Sequence, residues 1–341
     1  MNPWRLVLMA TIIVCTCNCS AEDPATTGLA AALAPFENDE HGDLHAVIAI
    51  HKGDLIFERY YNGGDPQALV DVRSAGKSVT SLLFGIALDR GAIGSLDDPV
   101  AKYWPETNGS AIGPVRLKDV LTMRTGLAAD GNDPDSPGYE DHLDAADDPL
   151  AFAISVPRAE APGTRYRYNS LAAYIAGIVI QRASGQGLED FASDHLFYPL
   201  KIQGWDWQED QGGNTKGQGN LFLTARDFAR IGEMVLNGGT YQGRQVVSRA
   251  WIDSSLQPRF DISDSDPYAS GYGFYWYRQE YEVKGRDVEL FFASGNGGNK
   301  IYVIPQLDLV VSVMSRAYGQ RHGQQRSEAI LKAILATQVK P

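Results

Sequence analysis

The spacing of apolar residues changes along the chain, and each change predicts a different element. His45 to His51 and Leu55 to Tyr61 are strand-like runs joined through Lys52, Gly53 and Asp54, which predicts a β-hairpin. From Val79 the apolar positions Leu82, Leu83 and Ile86 fall at the spacing of one helix face. Between residues 95 and 265, short helical patterns at Leu117 to Met123, Ser170 to Ala183 and Thr224 to Leu236 alternate with turns. From Gly271 the period becomes two, in Gly273 to Tyr277, Val288 to Ala293, Ile301 to Ile304 and Leu309 to Met314. Pro305 to Asp308 predicts a turn between the last two, and Ser327 to Thr337 a closing amphipathic helix.

Strands at both ends with helices between predict an α+β fold. An antiparallel sheet is built from both chain ends and flanked by helices, its edge strands coming from the N-terminal hairpin. A helical lobe, inserted over residues 95–265, completes it. The helix that begins near Ser74 leaves the sheet region for the helical one. Its start is therefore expected at the cleft between lobes, where small-molecule sites form.

Composition narrows the function classes. With 44% apolar and 21% charged residues the chain is globular, and 341 residues suffice for a large core. Asp and Glu number 42 against 30 Lys and Arg, with no basic patch, which argues against a nucleic-acid partner. Arg5, the apolar run Leu6 to Val14 and the small residues Cys19, Ser20 and Ala21 read as an export signal over residues 1–21, for a periplasmic or secreted protein. The run is too short to span a bilayer. A buried helix of the mature fold, or a lipid anchor on Cys17 or Cys19, are the other readings. All three cysteines lie in this segment and the six histidines are scattered, so neither a disulfide nor a metal site is predicted. Residues 22–40, rich in Ala, Pro and Asp, read as a linker or loose lead-in to a domain over 41–338.

The chemistry centres on Ser74-Ala75-Gly76-Lys77. Residues three apart share a helix face, so the lysine amine can reach the serine hydroxyl. A serine is a poor nucleophile until a base takes its proton, and a desolvated lysine can be that base. The pattern occurs once, and so short a pattern carries little weight alone. Tyr168 and Ser170 precede a helical run; the tyrosine can relay a proton to a leaving group, and Ser170 can bind the lysine or a substrate amide. A packed aromatic is the plainer reading of that pair. Ser294 to Asn299 sits between two strands, either as a simple glycine-rich turn or as a bare edge that a substrate can approach. An N–H there and that of Ser74 can form an oxyanion hole.

Together these motifs resemble the serine beta-lactamase and penicillin-binding-protein superfamily, marked by S-x-x-K, then S-D-N or Y-x-N, then K-T-G. The closer likeness is to the class C beta-lactamase-like branch, with its carboxylesterases and 6-aminohexanoate-dimer hydrolases. Arg73 to Ser81 resembles its nucleophile segment, Leu117 to Leu127 its "LLTMTSGL" element, and Pro162 to Arg165 its approach to the tyrosine. Leu221 to Asp227 and Gly295 to Val311 are similar to later segments in the same order. The resemblance implies Ser74 as nucleophile, Lys77 as base and Tyr168 as proton relay. It further implies Ser170, Asn296, Gly297, Gly298 and Asn299 as substrate or oxyanion contacts, with the N–H of Gly298 or Asn299 in the hole. No cofactor or metal is implied, and the substrate would be a small ester or a linear amide.

Two departures stand out. Serine fills the third place of the tyrosine triad, as in the nylon-oligomer-type members. Asn296-Gly297-Gly298 reads as the K-T-G counterpart, with no cation there and Lys300 two residues beyond, which counts against beta-lactamase or DD-peptidase activity. Glu140 to Asp144 resembles the class A E-x-x-L-N element but precedes the tyrosine instead of following it, and reads as coincidence. It belongs to an acidic stretch, Asp130 to Asp148, that is either a solvated loop or a cleft border favouring substrates with an amine; Asp144 is taken as one contact. Weak beta-lactamase-like activity, or a cell-envelope binding or sensor protein that does not turn over, are the alternatives.

Overall fold

The computed structural model describes residues 24–339. The export-signal reading of residues 1–21, with Cys17 and Cys19, lies outside the described residues. β1 (Leu44–His51) and β2 (Asp54–Tyr60) are the predicted hairpin, turned at Lys52 and Gly53 with φ of 54° and 83°. β3 (Val70–Asp71), β4 (Trp205–Trp207) and β5 (Leu221–Leu223) form a small sheet in the order β3-β5-β4, and β6 (Thr240–Tyr241) pairs with β7 (Arg244–Gln245). Six further strands complete the set: β8 (Phe260–Asp261), β9 (Gly271–Tyr272), β10 (Tyr277–Val283), β11 (Arg286–Gly295), β12 (Asn299–Ile304) and β13 (Leu309–Ser315). They join the hairpin in an antiparallel sheet of eight, ordered β2-β1-β13-β12-β11-β10-β9-β8. The two chain ends thus meet where β1 pairs with β13, and the hairpin supplies one edge as expected.

The helices are α1 (Pro24–Leu33), α2 (Gly76–Asp89), α3 (Leu117–Leu121), α4 (Glu140–Asp144), α5 (Pro149–Ser155), α6 (Ser170–Ser184), α7 (Leu188–Ala192), α8 (Ala225–Leu236), α9 (Arg249–Leu256) and α10 (Arg321–Gln338). β1, β12 and β13 are buried almost throughout because helices cover both sheet faces, which explains their unbroken apolar runs. Gly232 of α8 lies against Ile301 and Val310 on one face. α10 covers the other, its Glu328 accepting a hydrogen bond from the Tyr281 hydroxyl. The lobe of α3 to α7 packs on the sheet through α2, which is buried along most of its length.

Two expectations need correcting. The lead-in is not loose: its Ala-rich stretch forms α1, whose Leu29 and Leu33 are buried against α10. Alanine is the best helix former, and two leucines four apart give the helix a face to bury. Arg326 of α10 clamps the segment between α1 and β1, pairing with Asp39 and Asp43 at 2.6 Å each. The run Gly273 to Tyr277 is not one strand. Phe274, Tyr275 and Trp276 leave the sheet and are buried, with Tyr275 at φ 61°. The Tyr275 carbonyl accepts from Ser78 Oγ of α2 at 2.6 Å, and its hydroxyl donates to the Val120 carbonyl at 3.1 Å. Burial of three rings outweighs a few ladder bonds. β10 then resumes to Val283, through charged residues whose alternation gave no apolar signal.

Lys300 sits inside this core, 2% exposed, its amine 2.7 Å from Ser294 Oγ and 4.7 Å from the centre of the Phe292 ring. Burial pushes its pKa down from 10.5 to about 8. Between those values the unfolded chain binds more protons than the folded one, so stability from this group rises with pH. Lys300→Met should remove that rise and leave the protein more stable at pH 7 by on the order of 1–3 kcal/mol. Denaturant unfolding of both proteins at pH 7 and about pH 9.5 checks it; an identical pH dependence would refute the burial argument. A second prediction concerns α2. A Cβ on Gly85 would lie 2.2 Å from the Trp251 indole, which is wedged between Phe84 and Phe274. Gly85→Ala should cost about 1–3 kcal/mol despite alanine's better helix propensity, read as a lowered melting temperature.

Candidate active site

The nucleophile candidate stands on a strained turn. Arg73, immediately before Ser74, has φ 53°, a left-handed conformation costly for a residue with a Cβ. Asp71 holds it there. Its carboxylate accepts from the Arg73 N–H at 2.7 Å and lies 3.2 Å from the guanidinium, which stacks 4.2 Å over the Tyr318 ring. Burial pushes the Asp71 pKa up, and the Arg73 contacts act against that rise. The short 3-10 turn Arg73–Ala75 then runs straight into α2, so Ser74 is half-buried at the mouth of the helix and Lys77 is one turn inside.

Lys77 is 2% exposed and surrounded by three oxygens. Its amine lies 2.8 Å from Ser74 Oγ, 3.1 Å from Ser170 Oγ and 2.7 Å from the Gln218 carbonyl. These come from the start of α2, from α6 and from the loop before β5. Ser170 reaches the amine because it opens α6, capped by the Asn169 side chain, which accepts from the Ala172 N–H. Tyr168 lies in the extended approach to that cap, its ring centre 5.3 Å from the Lys77 amine. The sequence-predicted Ser74, Lys77, Tyr168 and Ser170 are thereby brought together.

The loop that delivers Gln218 was not singled out from sequence. Gly217 and Gly219 flank it, and both are needed for space. A Cβ on Gly217 would lie 2.9 Å from the Ala173 carbonyl of α6, and one on Gly219 would lie 3.1 Å from the Arg73 carbonyl. Thr80 Oγ1 of α2 pins the Gly217 carbonyl at 2.6 Å. The Gly-x-Gly pattern was the available signal, indistinguishable in sequence from any turn.

The glycine-rich segment after β11 lies in a different register from the expected one. Gly295 is the glycine against the nucleophile turn: a Cβ there would sit 2.0 Å from the Val72 carbonyl and 3.2 Å from the Ala75 nitrogen. Gly297 instead faces Ala317 and Tyr318, and Gly298 faces Gly323 and Ser327 of α10. Asn299 is fully buried, its side chain donating to the Asn296 carbonyl and accepting from the Ser315 N–H. Gly297, Gly298 and Asn299 pack into the turn, the Gly298 N–H donating to the Gly295 carbonyl at 3.2 Å, whereas Asn296, next to Gly295, is exposed. Lys300 pairs with Ser294 across β11 and β12, on the opposite face from Gly295, so it brings no cation to Ser74.

The acidic stretch does border the site, through residues other than the expected one. The Gly131 N–H donates to the Tyr168 carbonyl at 2.7 Å, and Asp130 pairs with Arg167 at 3.0 Å. Asp144 is occupied by Lys216, 3.0 Å away. Glu140, read from sequence as coincidence, accepts a hydrogen bond from Ser170 Oγ at 2.7 Å. Among the described residues no group of three His, Cys, Asp or Glu is placed to hold a metal ion, and no helix is long and apolar enough to cross a membrane.

Residues 40–334 match the family described as Beta-lactamase. The 6-aminohexanoate-dimer hydrolase of Paenarthrobacter ureafaciens is 24% identical over 92% of this chain and 85% of its own. A penicillin-binding-protein homolog from Caulobacter crescentus superposes with a TM-score of 0.74 at 18% identity, covering 92% of this chain and 98% of that one. A family VIII carboxylesterase gives 0.71 at 17% identity, over 91% and 98%. The family match covers most of the sequence, and these solved structures share the arrangement of sheet and helical lobe described above. This chain therefore belongs to the beta-lactamase family of hydrolases.

Proposed function

We propose that the protein is a serine hydrolase that cleaves small esters through an acyl-enzyme on Ser74. The observation that carries this reading is the buried Lys77 amine 2.8 Å from the half-buried Ser74 hydroxyl. Lys77 takes the hydroxyl proton as Ser74 attacks the carbonyl carbon. Tyr168, beside the amine, passes a proton to the departing alkoxide and then draws one from the hydrolytic water. The N–H groups of Ser74 and of Asn296, next to the close-packed Gly295, hold the oxyanion.

An ester is favoured because an alkoxide leaves more readily than an amine. A linear amide is the second reading, supported by the relative named 6-aminohexanoate-dimer hydrolase. A beta-lactam or peptide carboxylate is less well served, since Lys300 lies on the other face of its strand.

Hydrolysis of p-nitrophenyl butyrate by the purified protein tests the assignment. Ser74→Ala should abolish turnover, Lys77→Met should lower kcat by about 10²–10⁴-fold, and Tyr168→Phe by a smaller factor of about 10–10³. Equal rates in wild type and Ser74→Ala would end the Ser74 mechanism. A stable acyl adduct without turnover would point to a binding or sensor protein instead.

A further inference from the structure

The mechanism above leaves Glu140 without a task, yet its carboxylate ends an unbroken hydrogen-bonded chain to the nucleophile. Ser74 Oγ, Lys77 Nζ, Ser170 Oγ and Glu140 Oε2 are linked at 2.8, 3.1 and 2.7 Å. Glu140 reaches Ser170 because α4 places it beside the start of α6.

The direction of each bond is set by what each group can donate. A carboxylate has no proton to give, so the Ser170 hydroxyl must donate to Glu140. Its lone pairs are then the only thing it offers Lys77, and the Gln218 carbonyl likewise can only accept. A neutral amine has two N–H bonds and one lone pair. With both N–H bonds drawn to Ser170 and Gln218, the lone pair is left for the third neighbour, the Ser74 hydroxyl.

We propose that Glu140 is a positioning residue that fixes this polarity, so that Lys77, once neutral, can only act as a base toward Ser74. The inference rests on the hydrolase reading given above. In the attack the Ser74 O–H bond breaks and its proton goes to the Lys77 lone pair. The freed oxygen pair forms the bond to the carbonyl carbon while the C=O π pair moves onto the carbonyl oxygen, which the oxyanion donors hold. The new ammonium keeps its bonds to Ser170 and Gln218, and the Glu140 charge one hydroxyl away favours it. Without that carboxylate the Ser170 hydroxyl is free to turn and donate to the amine, competing with Ser74 for the same lone pair.

The test is a double-mutant cycle on kcat for p-nitrophenyl butyrate, using Glu140→Gln, Ser170→Ala and both together. Glu140→Gln is expected to lower kcat by about 10–100-fold at nearly constant KM, because the loss falls on proton transfer and not on binding. In the Ser170→Ala background the same substitution should cost less than about twofold, since the hydroxyl through which it acts is gone. Wild-type kcat in Glu140→Gln, or an equal loss in both backgrounds, would overturn the proposal; the latter is also what general damage to the fold gives. Wild-type protein lacking any Ser74-dependent turnover would remove the parent reading, and this one with it.

Discussion

The whole site depends on burying one lysine amine. Lys77 is enclosed by protein, and a charged or neutral amine in that setting needs its hydrogen-bonding capacity met by fixed partners. Three segments supply the oxygens: Ser74 one turn away, Ser170 at residue distance 93 and Gln218 at distance 141. Each constrains the others. If α6 shifted, the amine would lose Ser170; if the loop at Gln218 withdrew, it would lose the carbonyl that cannot donate. The lysine thus ties the helical lobe to the nucleophile helix by polar contacts, where apolar packing alone would tolerate sliding.

The close approaches around this amine are made by absent side chains. Gly76 packs directly on Gly219, Gly217 fits under α6, and Gly295 lies on the carbonyl of Val72. A backbone brought this near can present N–H and C=O groups to the cleft at fixed positions, which is how a site gains dipoles that need no reorganisation. The left-handed Arg73 belongs to the same scheme. Its unfavourable backbone is retained because Asp71 accepts its N–H and the Tyr318 ring holds its guanidinium, and Tyr318 in turn donates to the Asp71 carbonyl at 2.9 Å.

Charge is distributed with equal consequence. The cation that lies nearest the glycine-rich turn in sequence, Lys300, is turned into the apolar face of the sheet under α10, while carboxylates of the stretch from Asp130 to Glu140 gather around Tyr168 and Ser170. Alternation along β11 and β12 decides this: Lys300 shares a face with its partner Ser294, while the next residue, Gly295, lies against the nucleophile turn. The carboxylates beside the tyrosine are matched by cations: Arg165, Arg167, Asp130 and Asp266 line the same pocket as Tyr168, and Asp130 is paired with Arg167 at 3.0 Å.

The sequence by itself determined the elements and the nucleophile pair. Short apolar runs bounded by turn residues marked the hairpin and β11 to β13, the 3.6-residue period marked α2, α6 and α8, and the Ser74–Lys77 spacing put the amine within reach of the hydroxyl. These are local properties, set within a few residues by geometry. The tertiary structure decided everything that depends on which segments meet. Whether Glu140 or Asp144 reaches Ser170 depends on the pose of α4, and Lys216 is what occupies Asp144. Which glycine touches the Val72 carbonyl depends on where β11 ends against the nucleophile turn. The strand expected over Gly273 to Tyr277 gave way because three aromatic rings gain more from burial in the core than from a ladder. Such choices are settled by competition among long-range contacts of similar strength, and no window of sequence contains both competitors.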